Sequence, residues 1–477
     1  MFKKVILFLT LITFLSANEY QEWLKAQNQE YTTYKKTMDE EFSDMLKKDW
    51  EAFKAMSSPS PYTKPKPVVM PEIKKVVVVP PKEIKKSPKI KVKKIITKPE
   101  PKPIVKIVKP TIKKDFNIVN FEFYSNEISI SYDKKSLFNL TKIDKQSISK
   151  FWEELSKTNY KKLLKQIDKN SKELNLNDWA KYQFIHKLGN VIYKDNNSAN
   201  LFTWFVLVKM NYDTKVGYNS NKIYLLSTMQ HSLYQVSFFT LNKKRYYILT
   251  PNGRIGKIGS IFTYAGDYPK AQEKLSFLID KEIKFYNNIV QKDLTFTYNN
   301  KKYSINTQYS TDLINFYKTF PQSDYRVYFG TKNSQPLSNS ILVKLAPLVE
   351  GKSEIEAVNL LLRFVQTSFK YKTDQKQFDY EKVMFPEETI FYPYSDCEDR
   401  SIMFSYLVKN LLNLDVVGVK YKDHLATAVA FSSKVSGDSF RYKNTKYTIS
   451  DPTYINANAG MAMPQYKNSN FEIISLR

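Results

Sequence analysis

The 477 residues are 42% hydrophobic and 15% aromatic, enough apolar material for two or three packed domains, which excludes a wholly disordered chain. A formal charge of +27 first suggests nucleic acid or an anionic surface. Residues 58–114, however, hold 17 Lys against 3 Glu, so one low-complexity stretch supplies about half of the excess. That stretch lacks interleaved aromatics and Arg, and nucleic acid is not the expected partner.

Residues 1–17 read as a secretory signal: Lys3 and Lys4 form a positive start, Val5 to Leu15 is apolar or neutral, and Ser16-Ala17 offers a cleavage site. The run is shorter than the roughly 20 residues of a spanning helix. No other stretch is apolar enough to cross a membrane, so the chain is expected in the periplasm or cell envelope. Cys397 is the one cysteine, so no internal disulfide can form. A lone thiol in an exported chain is flagged as reactive.

Residues 18–56 predict one amphipathic helix, with Tyr20, Trp23, Tyr31, Tyr34, Met38, Phe42, Met45 and Phe53 on one stripe. The stripe fits either docking on the protein's own core or a coiled coil or partner. Residues 57–114 read as a Pro/Lys-rich spacer in extended polyproline II, whose lysines suit contact with anionic envelope polymers. From residue 115 the sequence turns globular. Strands are expected over 116–132, helices over 146–193, strands over 222–265 and 293–330, and a helix over 354–370. The fold class is α+β.

The stretch around Cys397 has an upstream echo. Leu414 to Gly418 parallels Asn211 to Gly217, His424–Phe431 aligns with His231–Phe238, and Lys446–Pro452 parallels Tyr246–Pro251. The same order of elements twice predicts duplication, with domains at 115–285 and 286–477. In the first copy Asp195 stands opposite Cys397 and Thr250 opposite Asp451, so that copy is read as degenerate.

Cys397 lies between Asp396 and Glu398-Asp399-Arg400, just before a helical pattern that Asp396 or Ser395 can cap. A helix N-terminus stabilises a thiolate and can bind an oxyanion. His424 opens a strand and Asp451 ends the next, so two antiparallel strands can set them side by side as base and orienting carboxylate. The three histidines, His186, His231 and His424, have no metal-site spacing, so no metal or cofactor is expected.

The run Asp396-Cys397-Glu398-Asp399-Arg400-Ser401, with His424 and Ser450-Asp451-Pro452-Thr453 following, resembles the bacterial branch of the transglutaminase-like superfamily. The resemblance covers residues 354–460 and extends weakly to 178–255. It implies a papain-like core, with Cys397 as nucleophile, His424 as general base and acid, and Asp451 as orienting carboxylate. Asp396, Arg400 and Tyr394 are supporting candidates, with Tyr392 or Tyr394 as second oxyanion donor. The expected chemistry is acyl transfer from an amide or peptide bond of a protein through a thioester, hydrolysis ahead of cross-linking. The other reading is an envelope scaffold with a vestigial triad.

Overall fold

The computed structural model describes residues 17–60, 66–73, 88–92, 115–138, 140–253 and 258–475. Residues 1–16 of the expected signal segment lie outside them, and Ala17 already begins the first helix. Helix α1 (Ala17–Leu46) leads into short strands β1 (Trp50–Lys54) and β2 (Met56–Ser57). The hairpin β3 (Phe116–Phe123) and β4 (Asn126–Asp133) follows, then helices α2 (Lys145–Ser156), α3 (Tyr160–Glu173), α4 (Asp178–Tyr193) and α5 (Asn196–Lys209). Strands β5 (Thr214–Tyr218), β6 (Ile223–Ser227), β7 (Ser237–Leu241), β8 (Lys244–Leu249) and β9 (Ser260–Tyr264) complete the first half.

The second half opens with hairpin β10 (Ile289–Tyr298) and β11 (Lys301–Ser310) and helices α6 (Thr311–Lys318), α7 (Tyr325–Gly330), α8 (Gln335–Leu337) and α9 (Val343–Val349). Helix α10 (Glu354–Ser368), β12 (Lys370–Tyr371), α11 (Asp374–Phe378), α12 (Pro386–Phe391) and β13 (Tyr394–Ser395) lead to α13 (Cys397–Leu412). Strands β14 (Asp415–Lys420), β15 (Leu425–Ala430), β16 (Ser439–Tyr442), β17 (Thr445–Ile449) and β18 (Glu472–Ile474) close the chain. The class is α+β with antiparallel sheets, as expected.

The helix expected over 18–56 stops at Leu46. Residues 50–57 instead add edge strands at both ends of a seven-stranded sheet ordered β1-β9-β5-β6-β8-β7-β2. The aromatic and β-branched residues of that sheet outweigh the short helical stripe. Only the C-terminal half of the stripe docks: Met38, Phe42 and Leu46 are buried, whereas Tyr20, Trp23 and Tyr34 are exposed. Phe42 meets Trp152 at 4.6 Å and Tyr268 at 5.3 Å between ring centres. Thr311–Lys318 and Tyr325–Gly330 are helical rather than stranded, because Ser310 and Asp324 cap α6 and α7.

The second sheet has five strands, β16-β17-β15-β14-β18. Read from its other edge, that order matches β9-β5-β6-β8-β7 of the first sheet. A helix precedes each set, α5 and α13, and each ends with a left-handed asparagine, Asn211 (φ 73°) and Asn413 (φ 55°). Asparagine tolerates this conformation because its short side chain bonds locally.

The spacer also differs from expectation. Residues 66–73 and 88–92 lie on the second half: Ile73 N–H donates to Ile455 O at 3.1 Å and Ile90 N–H to Lys352 O at 2.8 Å. The remaining residues of 74–114 lie outside the described ones.

Phe42→Ala should cost about 3–5 kcal/mol, the usual cost of emptying a buried aromatic site. Tyr34→Ala on the exposed stripe should stay within about 0.5 kcal/mol. Urea unfolding of both variants checks the contrast; equal losses would contradict the half-docked helix.

Candidate functional site

Cys397 is the first residue of α13 and is fully buried. Asp396 stands at the N-cap position but does not cap; its Oδ2 accepts from Lys66 Nζ at 2.7 Å instead. Asp399 takes up part of the start of the helix, accepting from Asp396 N–H at 3.1 Å and from Met384 N–H at 2.8 Å. Ser401 Oγ donates to Leu425 O at 2.8 Å, tying the first turn of α13 to the start of β15. The Leu425 N–H lies near the Cys397 sulfur and is the last and smallest of the influences on its pKa, pulling it down. The nucleophile candidate therefore lies against the residue that follows His424.

His424 is fully buried, and its Nε2 pairs with Asp451 Oδ2 at 2.8 Å. Strand pairing brings them together: β15 and β17 are antiparallel, with Ala428 opposite Ile449. Asp451 Oδ1 accepts from Thr453 N–H at 2.8 Å, which fixes the carboxylate plane. The imidazole stacks on Tyr466, 5.1 Å between ring centres. Its Nδ1 is buried without a hydrogen-bond partner among the described residues. A ring with one nitrogen tied to a carboxylate and the other open is arranged to take a proton.

The thiol is not in the state its helix position suggests. It donates to Glu398 Oε2 at 3.1 Å. Burial, then the charges of Glu398 and Asp396, push it well above the ordinary cysteine value, against a smaller pull from Lys66. A helix N-terminus lowers a thiol pKa only where desolvation and neighbouring anions do not exceed it.

Lys66 arrives from the spacer, and sequence reading missed it. Its side chain is 1% exposed, and its ammonium meets Asp374 (3.1 Å), Glu381 (2.9 Å), Asp396 (2.7 Å) and Glu398. Burial pulls this amine down, but Asp396, Glu398 and Asp374 overcome that and hold it well above the usual lysine range. Burial and Asp396 raise Asp374 to about 8. Burial and Asp396 also raise Glu398 and Asp399 well above the carboxylate range. One oxygen from each of Asp374, Asp396 and Glu398 lies within 4.8 Å of the others, a spacing that also suits a metal ion. No spacing in the sequence flags Asp374 or Lys66, because α11 and the spacer are remote from α13.

Arg400 does not hold a carboxylate. It donates to Phe369 O (2.6 Å), Gln366 O (3.2 Å) and Ser395 Oγ (3.2 Å), joining α13 to the end of α10. Tyr394 pairs with Lys370 across β12 and β13, and its ring lies 5.0 Å from Lys372 Nζ. The tyrosines placed at the site are Tyr466, stacked on His424, and Tyr371, whose hydroxyl donates to Pro67 O at 2.6 Å.

The upstream match of His231 to His424 is corrected by strand register. Lys420 pairs with Leu425 and Tyr218 with Ile223, each across a four-residue turn. Lys222 therefore occupies the position of His424, while His231 lies beyond β6. Lys222, Thr250 and Asn196 line one cavity of about 950 Å³ together with His186. Burial draws His186 down to about 4, so it is neutral near pH 7.

No family model matches the chain, and no curated protein or solved structure matches it. No helix among the described residues is long and apolar enough to cross a membrane.

Two outcomes follow from the acidic setting. Alkylation of Cys397 by iodoacetamide in the folded chain should keep rising beyond the ordinary thiol value of about 8.5; an earlier plateau would contradict the raised thiol. Asp374 is raised in the folded state, so its stabilising contribution is full below about pH 4 and is lost as pH rises through about 8. Asp374→Asn should flatten the difference between urea midpoints at about pH 5 and pH 8; an unchanged difference would refute the assignment.

Proposed function

We propose that the chain is an exported thiol enzyme of the transglutaminase-like kind that cleaves an amide or peptide bond of a protein. The observation that carries this reading is the buried His424–Asp451 pair with Nδ1 open beside the start of β15, where Leu425 N–H lies near the Cys397 sulfur. In the proposed reaction His424 Nδ1 takes the thiol proton and the sulfur attacks the amide carbon. The tetrahedral oxyanion gathers charge near the N-terminus of α13. The C–N bond breaks as His424 returns its proton to the leaving amine, and a thioester remains. Water, deprotonated by the same imidazole, then releases a carboxylic acid and the thiol. Asp451 holds the imidazole tautomer and faces the imidazolium that forms.

The matching strand orders of the two sheets support duplication, with Lys222 and Thr250 standing where His424 and Asp451 stand. The first half is then a non-catalytic lobe.

The raised thiol favours a second reading, in which the site is silent: a scaffold with a vestigial triad. Hydroxylamine separates the two, because it intercepts a thioester as a hydroxamate. With a casein or envelope-protein substrate, hydroxamate should form with the wild type and vanish in Cys397→Ala and His424→Ala. Asp451→Asn should lower the rate by about 10²–10⁴. Absence of hydroxamate from the wild type and from a variant freed of Lys66 would leave the scaffold reading.

A further inference from the structure

Residues 66–73 lie across the candidate site, bent at Val68 and Val69 and bridged in parallel to Ile455 at Glu72. Lys66 enters the acidic socket at the N-terminus of α13. Tyr371 Oη then donates to Pro67 O at 2.6 Å, and Arg400 Nη1 lies 3.2 Å from Met70 Sδ. Ile455 N–H donates to Pro71 O at 3.1 Å, and Ile73 N–H returns a bond to Ile455 O at 3.1 Å. Asn456 Nδ2 donates to Ile73 O at 3.1 Å. Val68 and Val69 face solvent, so the segment is gripped at both ends and by backbone in between.

The receiving surface is built from the same parts as the triad. The loop that accepts the segment follows Asp451 directly, and Gln366 of α10 holds it by donating to Asp451 O (3.2 Å), Tyr454 O (2.8 Å) and Ala457 O (3.0 Å). The socket carboxylates Asp396 and Glu398 flank Cys397 in sequence. Backbone bonds to an extended chain with one side chain in a pocket is how proteins bind peptides by strand addition. The socket's chemistry is also specific. Four carboxylate groups against one ammonium select a buried cation, and a neutral side chain there would leave acids desolvated without compensation. Because Lys66 is held charged, its nitrogen has no lone pair to attack a thioester, so it serves recognition and not acyl acceptance.

We propose that this groove is a binding site for a lysine-bearing peptide, and that residues 66–73 are its resident ligand in cis. The inference rests on the proposed function only in naming the groove as the substrate path; the binding itself does not need catalysis. An outside peptide must displace the chain's own segment, which as a tethered ligand competes at high effective concentration.

The test uses the full chain. A fluorescent, N-acetylated peptide of residues 64–75 is titrated against wild type and against the double variant Lys66→Gln, Ile73→Pro, which removes the ammonium and one backbone donor. Binding to the variant should be at least about tenfold tighter than to wild type. A peptide with Gln in place of Lys66 should lose about tenfold on the variant, and salt should weaken the lysine peptide more. Equal binding to both proteins, or equal binding of both peptides, would overturn the proposal. Should the variant not fold, hydrogen exchange on wild type decides: the Ile73 amide should be protected at least about tenfold over an unstructured chain, and free exchange there would overturn it. Hydroxamate formation by the double variant with Cys397 intact, read against the same variant carrying Cys397→Ala as the blank, keeps the two readings apart. Lysine-dependent binding without hydroxamate formation would sink the enzyme alone. Hydroxamate formation without lysine preference would sink the groove alone.

Discussion

The ammonium of Lys66 and the carboxylates around the first turn of α13 form the interaction on which the site depends. Asp374, Asp396 and Glu398 come together from elements that share no sequence neighbourhood with the lysine, 308 to 332 residues away. Placed together without a cation, such buried acids either take up protons or force the helix start open. Lys66 relieves part of that load, and the acids still titrate high. Breaking such a cluster by removing one partner is expected to cost about 3–5 kcal/mol, because the charges left behind are uncompensated.

The same cluster sets the state of the thiol. His424 and Asp451 are already paired, and the ring is stacked against Tyr466. The sulfur faces Glu398, and burial with neighbouring anions keeps it protonated. In the proposed reaction the imidazole is thus already oriented while the sulfur stays protonated. An ammonium close to a thiol favours the thiolate, yet here its charge is shared among four carboxylates before it reaches the sulfur. The electrostatic sign at Cys397 is therefore set by how many acids and cations stand in the groove at one time.

The two halves place the same layout to different use. In the second, α13 and the turn between β14 and β15 present Cys397 and His424; in the first, Asp195 caps α5 and the turn between β5 and β6 presents Lys222. The two turns are equal in length and the strand orders match, and the first half carries a cavity of about 950 Å³ beside Lys222. A cleft lined by Asn196, Asn200, Gln183 and a neutral His186 offers donors and acceptors but no cysteine.

The sequence by itself determined what depends on local pattern. The helix at Cys397, the strand after His424, the Asp451 at the end of its neighbour and the α+β class were legible, because periodicity and short spacing encode them. It also marked Thr250 as the counterpart of Asp451. It misassigned His231, since an ungapped match ignores turn length, and strand register put Lys222 there instead. It also ran the first helix through residues 50–57, which pair with strands some 180 to 210 positions away. Only the tertiary structure decided that Arg400 ties helix ends and that one lysine among 17 in a repetitive stretch becomes a buried ligand. Long-range burial has no signature in a lysine-rich run: Lys66 lies between two prolines as Lys102 does, and only the acidic socket tells Lys66 apart.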